Sequence, residues 1–103
     1  MRLQKLAQMA LDQDLAVLRA AATARDASLQ HLKELAPSAA SDLSPLQQAQ
    51  TLLRYETWAD TRRAEINMIL ARQTAEWLAQ RETAKKAFGK TEALRLLQGK
   101  IMR

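Results

Sequence analysis

Apolar residues recur at alternating intervals of four and three through the first third of the chain, at Leu11, Leu15, Leu18, Ala22, Leu29, Leu32 and Ala36, with Arg25 as the one interruption. A stripe this narrow, about two residues in seven, is the seam of a coiled coil rather than the broader apolar face of a globular helix. Leu3, Leu6 and Ala10 stand off this register, so the seam is expected to drift before Leu11. A second stripe runs from Leu46 to Met102 through Leu52, Tyr55, Ala59, Ile66, Leu70, Trp77, Ala84, Ala87, Leu94 and Ile101. It contains no proline after Pro45, and its glycines, Gly89 and Gly99, come late.

The break between the stripes has a local cause. Pro37 disfavours helical geometry at Ala36, which stops the first helix near Leu35. Ser44-Pro45-Leu46-Gln47 restarts the chain, with Ser44 as N-cap, Pro45 at the first helical position and Gln47 placed to reach back to the Ser44 amide in a capping box. The expected elements are a helix over 2–35, a loop over 36–44 and a helix over 45–102. The fold class is therefore all-α, one domain over 1–103: a long antiparallel two-helix coiled-coil hairpin with a longer, projecting C-terminal helix.

Pairing Leu35 with Pro45 across the turn gives partner numbers that add to about 80. That register sets Leu29 near Leu52, Leu15 near Ile66, Leu11 near Leu70, Leu3 opposite Trp77, and the Ala20 to Ala24 run opposite Trp58, where indole meets alanine. At ~1.5 Å per residue the helices reach ~50 and ~85 Å, and roughly 20 residues beyond Arg81 are expected to overhang.

Charge sharpens this picture. Residues 1–80 hold nine basic and nine acidic side chains, while 81–103 hold seven and two, so the whole net charge of +5 falls in the expected overhang. Arg81, Lys85, Arg95 and Arg103 share one sector there, opposite Ala87, Leu94, Leu97 and Ile101. Hydrophobic residues make up 48% of the chain but aromatics only 4%, which favours Leu- and Ala-rich helices over a sheet core. No cysteine is present, so disulfides and thiolate metal sites are excluded. The opening residues do not read as a signal-peptide core and no stretch approaches the ~20 apolar residues of a membrane span, so a cytoplasmic protein is expected.

The residues offer catalysis little. His31 is the single imidazole and its setting, near a helix C-terminus, suits a solvated side chain. His31-x-x-Glu34 occurs once and in the wrong order for a bundle metal site, and isolated glycines make no phosphate cradle. No catalytic, cofactor-binding or metal-binding residue is assigned. A scaffold that buries one stripe per helix usually needs an oligomer or host complex, so a protein partner or homo-oligomer is expected.

Trp77-Leu78-Ala79-Gln80-Arg81, followed by Lys85-Lys86-Ala87-Phe88-Gly89-Lys90-Thr91-Glu92-Ala93-Leu94, resembles the C-terminal part of FliJ and YscO proteins, small coiled-coil components of the bacterial flagellar and type III export apparatus. The resemblance implies a cytoplasmic, non-enzymatic hairpin that inserts into the hexameric export ATPase and contacts the export gate; family members also escort export chaperones. This chain is shorter than that pattern, chiefly in its first helix. Carried over, Arg81, Lys85, Lys86 and Lys90 become candidate contacts to an acidic partner surface, with Phe88 and Leu94 as apolar ones; Arg95 joins them from the basic sector. The expected function is a coiled-coil adaptor or stalk. The alternatives are a basic helical nucleic-acid-binding protein, against which stands a basic face without Asn and with few aromatics, and a structural helical homo-oligomer. Membrane-surface binding is disfavoured because Lys90 intrudes on the apolar stripe.

Overall fold

The computed structural model describes residues 2–36 and 42–101, and these form two helices: α1, Arg2–Glu34, of 33 residues, and α2, Pro45–Ile101, of 57 residues. They pack antiparallel into a rod of 81 × 22 × 15 Å, with no strand among the described residues. Met102 and most of the expected loop lie outside the described residues.

The ends form as the sequence dictates. The last turn of α1 closes with two i to i+3 bonds, Leu35 N–H to Leu32 C=O at 3.3 Å and Ala36 N–H to Lys33 C=O at 3.2 Å. At the start of α2 the Gln47 amide donates to Ser44 Oγ and the Ser44 amide donates to Gln47 Oε1, both at 3.2 Å. The capping box is thus complete, and the Gln48 amide makes the first helical bond to the Ser44 carbonyl at 2.8 Å.

The seam follows strict heptads and is more polar than the stripes suggested. Leu11, Leu35, Ala59, Ile66 and Ala84 are its buried apolar residues, joined by the buried Ser28 and Thr91. Ser28 Oγ donates to Gln73 Oε1 at 2.5 Å, Arg25 Nε to Thr74 Oγ1 at 3.0 Å, and Gln80 Nε2 to the Asp14 carbonyl at 3.2 Å. Thr91 Oγ1 lies 3.4 Å from the Ala7 carbonyl and 3.0 Å from that of Ala87. Arg25, the one interruption of the first stripe, therefore meets a hydroxyl, and its guanidinium also lies 5.5 Å from the Trp77 ring centroid.

These contacts overturn the predicted register. Partner numbers add to about 98 rather than 80, a shift of about five 3.5-residue repeats that leaves apolar stripe facing apolar stripe. Leu3 lies beside Leu94, Leu97 and Ile101, not Trp77, and His31 and Leu35 share a hollow with Tyr55, Trp58, Arg62 and Ile66. The predicted pairs Leu29 with Leu52, Leu15 with Ile66 and Leu11 with Leu70 do not form. Trp77, not Trp58, falls at the level of the alanine run; the packing rule held and the tryptophan changed.

The overhang consequently sits at the other end. Arg2 and Ile101 finish nearly flush, forming the open end of the rod, and α2 runs past α1 at its N-terminal side, by about 20 residues or ~30 Å. Pairing at the turn was not obligatory, because the ten residues from Leu35 to Ser44 can reach about 33 Å when extended. Near the end of α1, Tyr55 Oη donates to the Leu35 carbonyl at 2.7 Å, and its ring lies 5.7 Å from that of Trp58.

Candidate docking site at the open end

The corrected register puts Arg81 to Ile101 alongside the first half of α1 instead of in free solution. The apolar side of that segment, Ala87 and Leu94, is turned toward α1 and partly covered, so it is not the free apolar face of a projecting tail. Basic charge nevertheless concentrates at this end. Residues 2–18 and 81–101 together hold eight basic and four acidic side chains, whereas 19–80 hold seven of each.

The seven candidate contacts do not form one patch. Arg81, Phe88 and Arg95, spaced by seven residues, occupy one flank of the rod. Arg81 stacks over the Trp77 ring at 5.6 Å, and Arg95 Nη2 pairs with Glu92 Oε2 at 2.9 Å. The hydrogen bond and the charge of Glu92 push the Arg95 pKa further above its ordinary value, so this exposed guanidinium remains cationic. Lys85 points away from α1 and reaches Glu82 at 3.4 Å. Phe88 is 56% exposed although α1 runs beside its helix.

Lys86 and Lys90 lie on the opposite flank. They border a groove with Ala7, Ala10, Asp14, Thr83 and Ala87 at the helix junction, and neither forms an ion pair among the described residues. Toward the open end a second, more apolar hollow is lined by Arg2, Leu3, Gln4, Leu94, Leu97, Gln98 and Ile101. Leu3, Leu97 and Ile101 remain more than half exposed there. An apolar hollow one or two turns from a groove edged by two ammonium groups outside ion-pair distance of any carboxylate among the described residues, Asp14 included, is suited to an amphipathic segment whose polar side carries carboxylates.

Of the residues lining these two hollows, the sequence-derived candidates include Lys86, Lys90 and Leu94 but not Leu3, Ala7 and Ala10. Leu3 and Ala10 stood off the α1 stripe, which was the available signal that they face something other than the seam. Elsewhere, His31 is exposed beside Glu34, and among the described residues no group of three or more His, Cys, Asp and Glu converges. No described helix is long and apolar enough to cross a membrane. No protein-family model, curated protein or solved structure matches this chain.

Proposed function

We propose that this protein is a non-enzymatic coiled-coil adaptor or stalk that holds an acidic, amphipathic segment of a partner protein at the open end of its hairpin. The observation that supports this is the closeness of the apolar hollow of Leu3, Leu94, Leu97 and Ile101 to the groove of Lys86 and Lys90, neither of which forms an ion pair among the described residues, on a rod whose remaining length is charge-balanced. Concentrated positive charge speeds encounter with an acidic partner, and the apolar floor supplies the affinity that exposed ion pairs lack. The rest of the hairpin gives reach: it sets the docking end up to 81 Å from the tip of α2.

On the resemblance of the Trp77 to Leu94 segment to FliJ and YscO, we assign the partner to the cytoplasmic ATPase and export gate of a flagellar or type III export system. The hairpin architecture is compatible with that role. Arg81, Lys85 and Arg95 each have an intramolecular partner, so the discriminating variant is Lys86→Glu with Lys90→Glu. Affinity capture from the native cells is expected to recover an export ATPase or gate protein with the parent chain and to lose it with the double variant, at unchanged helicity by circular dichroism. Capture unaffected by the variant would remove the open end from the interaction. Recovery of nucleic acid instead, with a strongly salt-dependent gel shift, would replace the reading.

A further inference from the structure

With the seam located, the outer surface of α1 divides into columns of residues seven apart, and the columns differ sharply. One, Lys5, Asp12, Arg19, Asp26 and Lys33, is charged at every position. The middle column of the uncharged side, next to the one opposite the seam, is Leu6, Gln13, Ala20 and Ala27. Its neighbours are Leu3, Ala10, Val17 and Ala24 on one side and Met9, Ala16, Thr23 and Gln30 on the other. All twelve of these positions are exposed and none is charged, over ~40 Å of helix. Leu3 is 70% exposed, Leu6 and Met9 59% each. A solvated helix face carries charges; one without any from Leu3 to Gln30, bounded by Arg2 and Glu34 at its ends and by the charged column on one flank, is built to be covered.

We propose that this face of α1 packs antiparallel against the same face of a second copy, giving a two-fold dimer with a four-helix centre. Three features select a second copy. First, side-chain size falls along the face, from Leu6 and Met9 to Ala20, Ala24 and Ala27, so an antiparallel self-pair sets large against small over its central part, with Leu3 reaching Gln30 at either end. Leu6 then meets Ala27 of the second copy, Met9 meets Ala24, and Ala16 meets Val17; a parallel pair would set Leu6 on Leu6 and leave the alanines apart. Second, the antiparallel arrangement puts the two basic open ends at opposite ends of the shared α1 layer, where a parallel one would bring them together. Third, the rod exposes 8152 Å², against about 5,800 Å² for a compact protein of its mass, so a contact of the ~800 Å² per partner that a stable dimer needs fits on its free surface.

The face shares Leu3 and Ala10 with the rim of the proposed docking site but not Lys86 or Lys90, which lie on α2, so Lys86→Glu with Lys90→Glu leaves dimerisation unchanged. The proposal is tested by sedimentation equilibrium and small-angle scattering on the full chain. The expected result is a dimer with a maximum dimension of about 110 Å, since each α2 tip projects past the shared α1 layer in opposite directions. Ala20→Glu sets a carboxylate in the centre of the face and is expected to weaken dimerisation at least ~100-fold with helicity retained, while Arg19→Glu on the charged flank leaves it unchanged. Because the chain has no cysteine, Leu6→Cys and Ala27→Cys report orientation: mixing the two should give the mixed disulfide, and Leu6→Cys alone should not cross-link. A monomer at all concentrations, a dimer indifferent to Ala20→Glu, or a Leu6→Cys homodisulfide would each overturn the proposal.

Discussion

Gly89 lies inside α2 with ordinary helical backbone, and a Cβ added there would have nothing within 4 Å. No turn or close approach within the chain requires glycine, so its backbone freedom is a cost of the unfolded state alone. Gly89→Ala is expected to raise stability by about 0.5–1 kcal/mol, read as a higher urea midpoint at unchanged slope. A loss would show that another chain passes close to its Cα. Ser28 and Gln73 present the opposite case, because each satisfies the other in the seam. Ser28→Ala alone is expected to cost about 1–2 kcal/mol by leaving the Gln73 amide short of a partner, and Ser28→Ala with Gln73→Leu to recover most of it. A double variant no better than the single one would show that the pair contributes little. At the start of α2, Ser44→Ala should cost about 1 kcal/mol of local stability, seen as faster amide exchange over the first turn, since it removes the acceptor for the Gln47 amide.

The helices themselves were legible and their register was not, for a definite reason. Cap chemistry is local: Pro37, Ser44 and Gln47 fix their ends whatever lies across the seam. Heptad stripes are also local, and Leu11, Leu18 and Leu32 all turn toward α2 as their spacing requires. Two such stripes, however, match equally well at every shift of half a heptad, so the apolar pattern alone cannot choose among registers. The choice falls to the exceptions. Arg25 and Ser28 interrupt the polarity pattern of α1, Gln73 and Thr74 that of α2, and bringing these together would have given the observed pairing from sequence. The candidate docking site depends on the same choice: its α2 candidates, Lys86 and Lys90, follow from charge, whereas the α1 residues beside them follow only from the register. One dynamic expectation belongs to this scale. Amides of α2 between residues 49 and 54 lack α1 alongside and should exchange markedly faster than those between 66 and 95; uniform protection would show that something else covers them.

As a whole molecule the chain is a rod with a radius of gyration of 23.6 Å, where a compact domain of about 100 residues has ≈ 13 Å. Its core is a single seam with five buried apolar residues among those described, and a seam of that size leaves a lone hairpin marginal. Thermal unfolding is therefore expected to depend on protein concentration, with Tm rising over a hundredfold range; a constant Tm would show that the hairpin is stable alone. The unequal helices also have a mechanical consequence. Two coupled helices resist bending more than one, so a force applied across the rod deflects chiefly the fully exposed stretch between Pro45 and about Arg54. A partner clamped to the open end would hold the stiff part, and a tilt of about 5° imposed there would swing the far tip by roughly 7 Å over the 81 Å length. The rod thus behaves as a lever with a built-in spring, which amplifies small displacements at its anchored end and yields under load at the other.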